Sequence, residues 1–116
     1  MQPNDKDAAY IWDMREAAKK VAKFTADVDL SEFIENDQIH YAVERCLEMI
    51  GEAARRVSSE FQEKHPEIPW REIIGQRNIL AHEYGEIDYE ILYRTAKEDI
   101  PALIDILGEL LPPLEE

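Results

Sequence analysis

The sequence predicts an all-α fold, an antiparallel bundle of four or five helices, and three observations carry that prediction. Apolar residues recur at alternating gaps of three and four over long runs. No stretch alternates apolar and polar residues with the period of a strand, and only 4 Gly and 6 Pro interrupt 116 residues. That length suits one domain with one core, so 1–116 reads as a single unit. A composition of 45% hydrophobic and 34% charged residues is that of a chain that folds rather than one that stays disordered.

Two long amphipathic helices come first. Ile11, Met14, Ala18, Val21, Thr25 and Val28 form one apolar stripe, and Ile39, Val43, Cys46, Ile50, Ala53 and Val57 form the next. Between them "DLSEF" offers Ser31 as a helix N-cap followed by Glu32 in the favoured acidic first turn, which puts the first turn of the bundle near residues 28 to 31. In "SSEFQEKHPEIP" the serines can cap one or two helical turns, and His65, Pro66 and Pro69 then form a loop. A further helix runs from Trp70 to about His82 and stops near Gly85; Pro69 suits its first position and Glu72 its positive end.

The last helix starts near Asp88, a good cap, and carries Leu92, Ala96, Ile100, Leu103, Leu107 and Leu110. Pro101 lies inside it, removes one backbone hydrogen bond and crowds the preceding turn, so a kink is expected between Lys97 and Pro101. Ile104 and Leu111 widen this apolar face, which fits contact with a second subunit and, nearly as well, a fully internal helix.

A net charge of −13 disfavours tight, non-specific nucleic-acid binding by a bare monomer. The acid is unevenly spread, however: residues 27–44 and 98–116 each carry six acids and no Lys or Arg, while residues 45–77 carry six of each sign. A phosphate-binding spot therefore remains compatible with the balanced region that leads into Arg77, and the acidic runs read first as solvated surface. Cys46 has no partner within the chain and sits in an apolar stripe, so it reads as a core thiol. With no charged and apolar leader, a reducing cytoplasm is expected. "IPALIDILGELLPPL" carries Asp105 and Glu109 between prolines and is too short to span a membrane.

Metal chemistry finds little support. Glu44, Glu48 and Glu52 follow at intervals of four and Asp37 and His40 at three, but the Glu-x-x-His pair of a carboxylate-bridged di-metal bundle does not occur. The glutamates are more simply a solvated face pairing with Arg45, Arg55 and Arg56. No metal and no cofactor are expected. Gly-rich phosphate loops and serine-nucleophile motifs are absent as well.

"RNILAHEY", residues 77 to 84, breaks the pattern. Trp70, Ile73, Arg77, Leu80 and Tyr84 keep helical spacing, yet a charge stands where an apolar residue is due. On a helix Asn78 and His82 sit one above the other, and Arg77, one position around, is long enough to reach the same spot. An arginine fork suits a phosphate, a histidine moves a proton near neutral pH, and an asparagine can orient either. Together they could cut a phosphodiester. Pattern alone favours a plainer account, in which the arginine stem lies along an apolar face and the histidine complements a helix C-terminus.

The wider string adds to this. Arg77, four residues, His82, one residue, Tyr84 resembles the motif of HEPN-domain proteins, specifically the HepT-like branch that supplies the toxin of HepT/MntA toxin–antitoxin pairs. "AVERCLEMIGEAARRVSSEFQEKHPEIPWREIIGQRNILAHEYGEIDYEIL" and "AKEDIPALIDIL" both look like that branch, so the likeness covers roughly residues 38 to 107. The resemblance implies a HEPN-like helical domain that forms a homodimer and cleaves RNA without a metal, with the motifs of two protomers facing one cleft. Arg77 and His82 would be catalytic, Asn78 supportive, and Tyr84 the residue to which a minimal nucleotidyltransferase antitoxin of MntA type adds AMP. A second expectation belongs to a different class: a HEPN fold kept as a non-catalytic scaffold, whose Arg77 and His82 bind a nucleotide or brace the dimer.

Overall fold

The computed structural model describes residues 5–75 and 88–111. Among the described residues every regular element is helical, as expected: α1 (Asp5–Thr25), α2 (Leu30–Glu35), α3 (Asp37–Arg56), α4 (Ser59–Lys64), α5 (described over residues 70–75), α6 (Tyr89–Arg94), a π-helical turn (Thr95–Asp99) and α7 (Ile100–Leu110).

The apolar stripes become the core. Ile11, Met14, Ala18, Val21 and Thr25 of α1, Val43, Cys46, Ile50 and Ala53 of α3, and Leu92, Ala96, Ile100, Leu103 and Leu107 at the C-terminal end are buried together. α1 is the central element, packed along α3 on one side and α7 on the other. Both pairings are antiparallel. Asp7 at the start of α1 accepts hydrogen bonds from the Ser58 N–H (2.9 Å) and hydroxyl (2.7 Å) just beyond the end of α3. Thr25, at the end of α1, meets Lys97 in the π turn that leads into α7, while Arg15 crosses α7 at Gly108. A Cβ at Gly108 would lie 3.2 Å from Arg15 Nε, so the glycine lets that side chain cross closely. Full burial of side chains such as Met14, Phe33 and Leu107 contributes about 1.5–3 kcal/mol each.

The connection between α1 and α3 corrects the expected cap. α1 ends through Asp27, whose φ of 62° lies in the left-handed region that Asp tolerates better than most residues. The chain is then extended at Asp29, and it is Asp29, not Ser31, that caps α2, its carboxylate accepting from the Glu32 N–H at 2.8 Å. Ser31 falls inside α2, where its hydroxyl donates to the Glu35 carboxylate at 3.1 Å. One residue then serves two helices: the Asn36 N–H donates to the Glu32 carbonyl at the end of α2, and the Asn36 side chain accepts from the Ile39 N–H at the start of α3.

The serine cap expected after Val57 is Ser58, which accepts from the Phe61 N–H. His65 ends α4 as a loop residue, its ring facing Phe61 and one nitrogen on Glu67. Pro69 lies one place earlier than expected. Its carbonyl accepts from the Ile73 N–H, so it is the cap of α5 and Trp70 the first helical residue.

Asp88 caps α6 through the Glu90 and Ile91 N–H groups, as its residue type suggested. The irregularity before Pro101 takes the form of a π turn, in which the Ile100 N–H reaches back five residues to the Thr95 carbonyl. α7 therefore starts afresh at Ile100 and Pro101 falls in its first turn, where no N–H is required. Ile104, Leu110 and Leu111 are partly buried against the core. No helix of the described residues is long and apolar enough to cross a membrane.

Candidate active site

Arg77, Asn78, His82 and Tyr84 lie outside the described residues, as does the expected helix end near Gly85. What the structure defines is how the chain is held on either side of them.

On the N-terminal side, α5 is fixed at its first residue. The Trp70 indole donates to the His65 carbonyl at 3.0 Å and meets Phe61 edge-on at 6.3 Å between ring centroids. Trp70 is buried, and Ile73 and Ile74 pack on the core from the following turn. A large ring with a satisfied N–H leaves this end of the segment little rotational freedom.

On the C-terminal side the chain is held by α6. Beyond the Asp88 cap, the Tyr89 ring packs on the His40 ring at 4.3 Å, and the Tyr93 hydroxyl donates to the Val28 carbonyl at 2.7 Å. His40 is the unusual member of this group. It is 2% exposed, with Nε2 3.1 Å from Asp37 and Nδ1 3.3 Å from Glu44. Tyr41 meets it edge-on at 4.5 Å and Phe33 lies 6.2 Å away. Burial raises the Tyr89 phenol above its ordinary range, with the charge of Glu44 adding to the effect.

The spacing of Asp37 and His40 reads in the sequence as a weak metal pair, and Glu44 as part of a solvated glutamate face, yet Glu44 is largely withdrawn from water beside the His40 ring. The structure gives the three a different meaning, because the two carboxylates engage different nitrogens of the ring. Glu52 is likewise occupied, accepting from Arg55 and Arg56 at 2.8 Å each; these bonds, that from Arg56 first, hold its pKa below the usual carboxylate range. Among the described residues no three of His, Cys, Asp and Glu gather as a metal site. Cys46 is buried and its thiol is pushed up by that burial, as expected of a core residue.

Charge decides where a phosphate backbone is not received. A hollow of about 560 Å³ beside α2 is lined by Asp29, Glu32, Glu35 and Asp37 with no basic residue. A groove of about 500 Å³ between α1 and α3 sets Lys20, Arg45 and Arg56 among four acids. Neither favours a polyanion.

The described residues form an all-helical bundle, with Trp70 and Tyr89 held to it on either side of the Arg-x4-His-x-Tyr string, which is consistent with a helical domain of HEPN type. The model of the family "Ribonuclease HepT-like" matches residues 14–110, and the chain belongs to this family. A Methanocaldococcus jannaschii protein named as a candidate RNase is 50% identical over 95 residues, covering 82% of this chain and 87% of the relative. A second such protein of the same organism is 40% identical over 108 residues, covering 93% of each. A Thermococcus cleftensis protein named "Probable ribonuclease HepT" is 40% identical over 103 residues, covering 89% of this chain and 92% of the relative. No solved structure was found to match the chain. Membership assigns the chain its activity class, that of an endoribonuclease.

Proposed function

We propose that the chain is the ribonuclease toxin of a two-component pair and that Arg77 and His82 carry its chemistry without a metal. The observation that carries this reading is the string Arg77-x4-His82-x-Tyr84 in a member of the HepT-like family. The reaction needs a phosphate held, a proton moved and a developing charge balanced. The ribose 2′-oxygen attacks phosphorus and the P–O5′ bond breaks, with His82 taking the 2′-hydroxyl proton or supplying one to the leaving 5′-oxygen. Arg77 balances the charge on the non-bridging oxygens through its planar fork, and Asn78 orients the pair. The products are a 2′,3′-cyclic phosphate and a 5′-hydroxyl.

The working unit is a homodimer with two copies of the motif facing one cleft. Two copies of Arg77 there offset the net charge of −13 locally. Tyr84 is the acceptor for AMP delivered from ATP by a minimal nucleotidyltransferase antitoxin. An added phosphodiester two residues from His82 brings negative charge to Arg77 and fills the volume an RNA phosphate needs. The same net charge supports the second reading, a non-catalytic scaffold that binds a nucleotide or a partner protein.

Purified protein made without a partner, incubated with total cellular RNA beside His82→Ala, separates the two. Discrete cuts with cyclic-phosphate ends that resist chelator and vanish in the variant are expected. Intact RNA from a dimeric, unmodified wild type would overturn catalysis in favour of the scaffold.

A further inference from the structure

His40 is a buried, ionisable side chain for which the ribonuclease chemistry has no use, and its surroundings are unusually complete. Asp37 and Glu44 of α3 each take one ring nitrogen, at 3.1 and 3.3 Å. Asp37 is largely exposed at 76%, whereas Glu44 is only 15% exposed. Glu44 is thus a carboxylate withdrawn from water against this ring, an arrangement that costs free energy unless the partner stays in place. Tyr41 of α3 and Phe33 of α2 close two further sides of the ring. The Tyr89 ring lies against it as well, at 4.3 Å between centroids and 39° between planes.

Tyr89 is the first residue of α6 and follows Asp88. It is therefore the first ring by which the chain is held to the bundle after residues 76–87. With a carboxylate beside each ring nitrogen, the imidazole cannot turn about its Cβ–Cγ bond without disturbing both contacts, so it presents a fixed face to Tyr89. Fixing Tyr89 fixes the start of α6, and with it the point from which the motif-bearing residues are suspended on their C-terminal side.

We propose that His40 is a positioning residue for the ribonuclease reaction: braced by Asp37 and Glu44, it seats Tyr89 and so sets where the motif-bearing segment rejoins the fold. The groups that face it are Asp37, Glu44 and Tyr41 from α3 and Tyr89 from α6, with Phe33 from α2 supplying an apolar wall. The proposal rests on the assignment of Arg77 and His82 as the reacting pair. A positioning error is felt in the chemical step more than in substrate binding.

The test uses the full chain and four variants, His40→Ala, His40→Gln, Tyr89→Ala and Tyr89→Phe, with RNA cleavage kinetics and amide exchange over α6 measured on each. Expected are a fall in kcat of tenfold or more with KM within twofold for His40→Ala and Tyr89→Ala, faster exchange at Ile91 and Leu92, and near-wild-type kcat for Tyr89→Phe, which keeps the ring. His40→Gln, which keeps a polar group in reach of the carboxylates, is expected between wild type and His40→Ala. Folded His40→Ala and Tyr89→Ala proteins with wild-type kcat would overturn the proposal, as would a Tyr89→Phe loss equal to that of Tyr89→Ala. Should the wild type itself leave RNA intact, the ribonuclease assignment is what fails. Unchanged α6 exchange in Tyr89→Ala then overturns the seating role independently.

Discussion

The Lys97 ammonium donates to the Thr25 carbonyl oxygen at 2.8 Å, tying the π turn to the C-terminal end of α1. Thr25 is the last residue of α1, whose final carbonyls carry the negative end of the helix dipole, so the contact joins a cation to an oxygen that also accepts from the Val28 N–H at 3.2 Å. The Tyr93 hydroxyl takes the Val28 carbonyl three residues on, and the two bonds together hold the turn that Asp27 opens.

Lys97→Met keeps the stem and removes the charge and its donors. It is expected to destabilise the fold by about 1 kcal/mol. Urea unfolding at constant slope checks this, and a midpoint equal to wild type would show the contact to be energetically idle.

Asp7 is 4% exposed and bonds both the N–H and the hydroxyl of Ser58, the residue that caps α4. Asp7→Ala leaves the Ser58 N–H without that acceptor and is expected to cost about 1–3 kcal/mol. Thermal unfolding followed by circular dichroism, with Ser58→Ala and the double variant to complete the cycle, measures the coupling.

Much of this architecture was legible in the sequence, and the misses have local causes. The stripes through Met14, Val43 and Leu103 placed the core because burial on one face of a helix imposes its period on the sequence. Ser31 was a good N-cap by type, yet Asp29 holds that role because the left-handed Asp27 ends α1 early enough to leave Asp29 extended. Pro101 signalled an irregularity but not its form, since a proline is compatible with a simple kink and with a preceding π turn alike. The role of His40 depends on Tyr89, a contact distant in sequence that no local spacing reveals. For the candidate site the reverse holds: Arg77, Asn78, His82 and Tyr84 were legible as a string, and the described residues define its anchors, Trp70 and Tyr89.

Tyr89 also gives a pH dependence. Burial raises its phenol above the ordinary value, so the folded state favours the neutral form. The stability this contributes is full below the unfolded pKa, about 10 for tyrosine, and is lost as pH rises through the higher folded value. Melting temperatures taken between about pH 8 and pH 11 are expected to fall more steeply for wild type than for Tyr89→Phe above about pH 10. Parallel curves would remove Tyr89 as the cause.

Cys46 is buried, and that burial holds its thiol above the ordinary range despite the neighbouring charges of Lys20 and Arg45. A thiol kept protonated and covered reacts slowly. Labelling by a thiol reagent at neutral pH is expected to be slow in the folded protein and fast in denaturant. Rapid labelling of the native state would show that α1 and α3 separate readily.

Tyr84 carries the regulatory half of the proposed pair. If AMP addition there silences the enzyme, Tyr84→Phe leaves Arg77 and His82 in place and removes only the accepting oxygen. The variant is expected to cleave RNA and to arrest growth as the wild type does. Co-expression of a minimal nucleotidyltransferase is expected to relieve the wild type while leaving the variant toxic, and only the wild type should gain the mass of an adenylyl group. Relief of both proteins by the same partner would place neutralisation elsewhere, in occlusion of the cleft or at another acceptor. Arg77→Ala provides the control, since a loss of cleavage of about 10²-fold or more without any partner separates damage to the chemistry from escape from regulation.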